Sequence, residues 1–153
     1  MKDHLNQPGL PQLSEIAETC ACLNVRKAAR AITQLYDEVL QPSGLRVTQF
    51  TLLVSIALAG EAPVTRLANA LVMDRTTLTR NLALLEHHGL VAIAPGTDQR
   101  TRMVTLTNQG REALAKALPL WEKAQKRVVS GLGRKQWNTL LADLSNIVSL
   151  ACE

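Results

Sequence analysis

The sequence predicts a mainly α-helical fold with one small β-hairpin, and three observations carry that expectation. Apolar residues recur at three- and four-residue intervals over long stretches at both ends of the chain. Glycines at 44, 60, 89, 96, 131 and 133 fall between the periodic segments, as helix stops and turns do. Between Gly89 and Thr107 the helical period gives way to two short runs rich in branched residues around a polar turn.

Taken in order, residues 1–12 are polar, contain Pro8, Gly9 and Pro11, and read as a flexible arm. Ser14 is a candidate N-cap, with Glu15 and Glu18 in the turn where the helix dipole favours acids. Cys22, Val25, Ala29, Ile32, Tyr36 and Val39 then form one stripe of a long helix over 14–41 that ends near Pro42-Ser43-Gly44. A second helix from about Thr48 to Ala59 is apolar nearly all round through Phe50, Leu52, Leu53, Ile56 and Leu58, which places it in the middle of the fold.

Two short helices follow, near Val64–Leu71 and Arg75–His88, and then the hairpin strands Leu90–Ala94 and Met103–Leu106. Thr107 caps another long helix with the stripe Leu114, Leu118, Trp121, Gln125, Val128 and Leu132. Pro119 inside it predicts a kink rather than a stop, because the period continues. The last helix carries Trp137, Leu140, Leu141, Leu144, Ile147, Val148 and Ala151. The whole, 1–153, reads as a single domain. Helices at 14–41 and 108–152 flank a central unit at 46–107 that is too small to cover their stripes, so a second copy of the chain is the expected partner.

The stretch from Val64 to Arg80 has helix-turn-helix grammar. Leu67, Ala68 and Leu71 supply the apolar side of the first helix, and Asp74 is the N-cap of the second. On that second helix Leu78, Leu82 and Leu85 face inward, while Arg75, Thr76, Thr79 and Arg80 lie together on the other side. Such a face has the chemistry of a major-groove reader. Arginine grips guanine O6 and N7 with two hydrogen bonds, and threonine offers a hydroxyl and a methyl. Thr77 in the first turn is placed for a phosphate oxygen beside free backbone N–H groups. The competing reading is a solvated helix surface held only by its cap.

The hairpin turn holds Asp98, Arg100 and Arg102 close together, directly after that basic helix. A loop so placed can lie on a sugar-phosphate backbone and set a guanidinium in the minor groove, with Asp98 orienting Arg100 through a hydrogen-bonded pair. Charges that merely keep a hairpin soluble are the alternative.

Composition bounds the function. With 153 residues, 46% apolar and 20% charged, the chain can bury a core. Seventeen Lys+Arg against thirteen Asp+Glu give +4, a mild bias toward polyanions. Aromatics at 3% exclude base-stacking platforms for single strands. The longest apolar run, Leu52–Ala59, is far short of the ~20 residues of a membrane span. Met1–Pro8 lacks the apolar stretch of a secretory signal, so a soluble cytoplasmic protein with no membrane partner is expected. No Gly-rich phosphate loop, His-Glu-x-x-His or separated acid pair marks an enzyme. His87-His88 and Cys20-x-Cys22 are too sparse for a metal, and no cofactor is expected.

Two motifs resemble the MarR (multiple antibiotic resistance regulator) family of winged helix-turn-helix transcription factors. One is Leu67-Ala68 followed by Asp74–Arg80 and Leu85-Glu86-x-x-Gly89-Leu90-Val91. The other is the wing Asp98-x-Arg100-x-x-x-Val104-x-Leu106-Thr107-x-x-Gly110. The likeness extends over nearly the whole chain from about Ser14. It implies a winged helix-turn-helix flanked by N- and C-terminal dimerisation helices, a triangular homodimer and a pseudo-palindromic double-stranded DNA operator. It also implies repression relieved by a small aromatic ligand or an oxidant.

The resemblance further implies where an effector would act. The peroxide-sensing branch of the family carries a reactive cysteine fourteen positions before a tyrosine, a spacing that Cys22 and Tyr36 reproduce, although Val47 stands where a second tyrosine would follow. Cys20 is the adjoining thiol, and Trp121 joins Tyr36 as the amphipathic aromatic on the long helices. The alternatives are a thiol-based sensor using Cys22 and, in another class, a winged-helix interaction module that does not bind DNA. The module predicts that Arg75, Arg80, Arg100 and Arg102 share no surface or are neutralised by acids.

Overall fold

A computed structural model describes residues 9–152, and by its contacts the chain divides into two units, one through Leu35 and the other from Tyr36. The first unit contains helix α1 (Leu10–Thr19) and the first three-quarters of α2 (Ala21–Leu40). Most of the expected arm lies outside the described residues, but Leu10, Pro11 and Gln12 are helical. The helix starts four residues before the expected Ser14 cap. Pro11 suits a first turn, where no intrahelical partner for its missing N–H is needed, and the Gly9 N–H donates to Gln12 Oε1 instead.

The single helix expected over 14–41 is broken at Cys20, whose φ of −63° and ψ of 113° are extended. Local side-chain bonds compete with the helical ladder at this point. Thr19 Oγ1 donates back to the Glu15 carbonyl, and Asn24 Nδ2 donates to the carbonyls of Glu18 and Cys20. No residue of α1 is buried, and Leu10, Leu13 and Ile16 are exposed. In α2, Val25 and Ile32 of the predicted stripe are also exposed.

The second unit begins with the end of α2, where Tyr36 and Leu40 are buried. A 3₁₀ turn (Gln41–Ser43) leads through Gly44 into α3 (Val47–Ala59). Asp37 ties the two helices together, accepting the Val47 N–H at 2.7 Å and pairing with Arg46 at 3.3 Å. Helix α3 is central, with Phe50, Leu52, Leu53 and Ile56 buried. Leu58, expected inside, is 84% exposed, because the last turn of α3 runs past the core toward Gly60.

Strand β1 (Glu61–Pro63), helix α4 (Val64–Ala70), helix α5 (Arg75–His87) and strands β2 (Val91–Pro95) and β3 (Arg102–Leu106) follow. The predicted hairpin is present with Ile93 opposite Val104. A third strand was not expected. β1 pairs with β3 through Ala62 opposite Val104, so the antiparallel sheet runs β1-β3-β2. Three residues, one of them a proline, give no alternation that could announce a strand.

Helix α6 (Asn108–Leu132) runs through Pro119 without a stop, and α7 (Arg134–Ala151) follows after Gly133. Thr107 caps α6 as predicted, accepting the Gly110 N–H while its hydroxyl donates to the Gly89 carbonyl. The buried face of α6 is rotated from the expected stripe. Gly110, Ala117, Ala124 and Val128 are buried, whereas Leu118 and Leu132 are exposed. Small residues won those positions because the helix lies close against its neighbours, and bulk was an unreliable guide to burial there. No residue of α7 is buried. None of the described helices is long and apolar enough to cross a membrane.

Candidate nucleic-acid interface

The helix-turn-helix is built by α4 and α5 around Leu67, Ala68, Leu78, Leu82 and Leu85, all buried as the spacing predicted. Asp74 caps α5 by accepting the Thr77 N–H at 2.8 Å. The Thr77 side chain, followed by that amide, holds the Asp74 carboxyl below its ordinary range. The Thr77 backbone N–H is therefore committed to the cap, and the residue lines neither depression on the helix surface.

The remaining face of α5 is open. Arg75, Thr76, Thr79, Arg80 and Ala83 line one shallow groove along it. On its other side a cleft of about 350 Å³ separates α5 from the hairpin, and Arg75, Thr79, Arg100 and Arg102 all line it. Arg75 and Thr79 thus stand on a ridge shared by both depressions. The interaction-module reading needed these arginines to point apart or to be neutralised. Instead three of them surround one cleft, and among the described residues none of the four makes an ion pair.

Asp98 orients Arg100, but not through the guanidinium. Its Oδ1 accepts the Arg100 backbone N–H at 3.0 Å, and its carbonyl accepts the Thr101 N–H at 2.8 Å. This local turn costs no ordering of the long arginine side chain, which a carboxylate pair would have required. The guanidinium is left to other ligands.

The sequence did not mark several of the lining residues as part of a site, Thr65, Ala83 and Glu86 among them. Ala83 and Glu86 lie eight and eleven positions after Arg75, a helical spacing that puts them on the same face. Thr65 comes from the start of α4 and carried no signal in the sequence.

Each effector candidate has its own surroundings. Cys20 is half-buried at the break between α1 and α2, and Cys22 is exposed rather than packed in a stripe. Tyr36 is buried, its pKa raised by desolvation, and its hydroxyl donates to Gln125 Oε1. Trp121 is half-buried and stacks on Phe50, with ring centroids 6.1 Å apart.

Known proteins share this fold. The MarR family profile matches residues 45–100, which span α4, α5 and the start of the wing. The crystal structure of the Mycobacterium tuberculosis transcriptional regulator MosR in complex with DNA is 41% identical. It superposes with a TM-score of 0.80 over 88% of this chain and 98% of that one. A mutant MarR from Escherichia coli complexed with operator DNA is 24% identical and shares the fold, with a TM-score of 0.78 over 87% of this chain and 96% of that one. The uncharacterised HTH-type transcriptional regulator YwoH of Bacillus subtilis (strain 168) is 28% identical over 88 residues, 58% of this chain and 64% of that protein, so the match spans less than two thirds of that relative. With a 41% identical regulator aligned over nearly its full length, and the family profile falling on the helix-turn-helix, the chain belongs to the MarR family of transcriptional regulators.

Proposed function

We propose that the protein is a homodimeric repressor that binds a pseudo-palindromic duplex operator and leaves it when a small effector binds. The observation that carries this is the convergence of Arg75, Arg100 and Arg102 on one cleft, beside the groove that Arg80 shares with Thr76 and Thr79. In this reading α5 enters the major groove, with Arg75, Thr76, Thr79 and Arg80 at base edges. The hairpin lies along the backbone, where Arg100 and Arg102 meet phosphates or the minor groove and Asp98 shapes the turn. Thr77 acts through the cap that starts the helix.

The second copy is supported by apolar surface. Helix α7 buries nothing, while Leu140, Leu141, Leu144, Ile147, Val148 and Leu150 are exposed along it. That is more than scattered surface hydrophobes explain. Two α5 helices related by a two-fold axis would then occupy successive major grooves ~34 Å apart. Release follows if an effector alters that separation.

The test is a titration of the intergenic duplex beside the protein's own gene, followed by fluorescence anisotropy at several salt concentrations. Tight binding that weakens steeply with salt, with one dimer per site, is the expected result. Equal, weak affinity for every duplex overturns the operator reading.

A second reading concerns the effector. Cys22 is exposed one residue into α2, with Cys20 at the helix break, which supports an oxidant acting on these thiols. Rapid alkylation of Cys22 at neutral pH is expected in that case, and an inert thiol ends it.

A further inference from the structure

Strand β2 is an edge strand, since the sheet order is β1-β3-β2. The Gly96 N–H donates to the Thr101 carbonyl and the Thr107 N–H donates to the Leu90 carbonyl. Positions 90 and 96 therefore face β3, and by the two-residue alternation of a strand Val91, Ile93 and Pro95 present their backbone to the free edge. Pro95 has no N–H to offer. The Ile93 N–H is taken by Glu86, whose Oε1 accepts it at 3.2 Å.

Glu86 belongs to α5 and lies on the same face as Arg75, eleven residues or about three turns away. Among the described residues this is the one side-chain hydrogen bond between α5 and the two strands of the hairpin. The carboxylate also lines the cleft shared by Arg75, Arg100 and Arg102. A negative charge in such a place opposes a phosphate backbone, so its charge alone works against the proposed function. Its hydrogen bond works for it.

We infer that Glu86 is a positioning residue for DNA binding: by holding the outer edge of β2 to α5, it fixes the distance between the arginine of the helix and the arginines of the hairpin. The inference rests on the DNA-binding reading above and deepens it. Glutamine at this position keeps an acceptor oxygen for the Ile93 N–H and removes the charge. Alanine removes both. The two variants therefore separate the tether from the charge.

The experiment compares the parent, Glu86→Gln and Glu86→Ala, each alone and combined with Arg100→Ala. Binding to a mixed-sequence duplex about two helical turns long is read by anisotropy, and amide exchange at Ile93 is read by NMR. Thermal midpoints confirm that each variant folds. The expected result is that Glu86→Gln keeps the Ile93 amide protected and binds at least as tightly as the parent. Glu86→Ala exposes that amide and loses about tenfold in affinity. In the Glu86→Ala background the further loss caused by Arg100→Ala shrinks, because the hairpin is already displaced. Equal gains in affinity from both Glu86 variants, or an Ile93 amide that stays protected in Glu86→Ala, overturn the inference while leaving DNA binding intact. A parent protein that binds no duplex overturns the DNA reading itself and the inference with it.

Discussion

Gly110 lies so close to Leu90 that a β-carbon on it would stand 2.0 Å from the Leu90 carbonyl oxygen. The first turn of α6 is thus pressed against the chain where it enters β2, and Thr107 fastens the same junction through Gly89. Backbone cannot swing aside as a flexible side chain would. Gly110→Ala is expected to destabilise the protein by about 3 kcal/mol, at the upper end of overpacking costs, measured by urea unfolding. A loss within error of zero means that the helix has room to shift.

Val72, in the turn between α4 and α5, adopts a φ of 52°. A branched L-residue in the left-handed region is strained by roughly 1–2 kcal/mol, and Val72 is 58% exposed, so little burial offsets the strain. Glycine removes that strain but has more backbone entropy to lose, ~0.5–1 kcal/mol. Val72→Gly is therefore expected to raise stability by several tenths to about 1 kcal/mol. A lower denaturation midpoint refutes this.

The buried hydroxyl of Tyr36 donates to Gln125 and joins the end of α2 to α6. Tyr36→Phe leaves the Gln125 oxygen short of its donor and is expected to cost about 1 kcal/mol. Replacing both, as Tyr36→Phe with Gln125→Met, removes donor and acceptor together. The double variant should lose less than the sum of the single ones in thermal or urea unfolding. Strict additivity speaks against the bond.

On DNA the two arginine positions should behave differently. Arg100→Ala is expected to weaken binding to all duplexes and to lower the salt slope by about one. Arg80→Ala should cost about 1–3 kcal/mol on the operator and also relax base preference at one position per half-site. Parallel titrations of operator and scrambled duplex distinguish them. Parent-like affinity in both variants removes these residues from the interface.

The Asp74 cap should be visible in the pH dependence of stability. Its carboxyl is held below the ordinary value by Thr77, so the folded state favours the charged form. The stabilisation is fully present above the unfolded carboxylate range near pH ~4 and is lost as pH falls through the lower folded value. Asp74→Ala should therefore be less stable than the parent at pH 6, with the difference shrinking toward pH 3, whereas Asp74→Asn keeps an acceptor and stays close to the parent. A gap that does not change with pH contradicts the assignment.

Elements with their own local chemistry could be read from the sequence. Asp74 and Thr107 announced helix starts, Leu78, Leu82 and Leu85 announced an inward face, and the branched residues after Gly89 announced the hairpin. Features set by packing could not. β1 exists because β3 offers it a partner, the break at Cys20 is accompanied by Asn24 reaching back, and α6 buries Ala117 and Ala124 rather than the bulkier Leu118. At the candidate interface Arg75 and Arg80 were legible from helical spacing, and Arg100 and Arg102 from the polar turn of the hairpin. That Asp98 serves a backbone amide and that Glu86 reaches across to Ile93 were not, since both are choices of a hydrogen-bond partner made only after folding.

Between the end of α2 and the start of α3 the chain makes a short turn that Asp37 closes through Val47 and Arg46. Fastened in this way, the last turn of α2 and the first turn of α3 share one carboxylate, and α3 carries the buried residues against which the sheet packs.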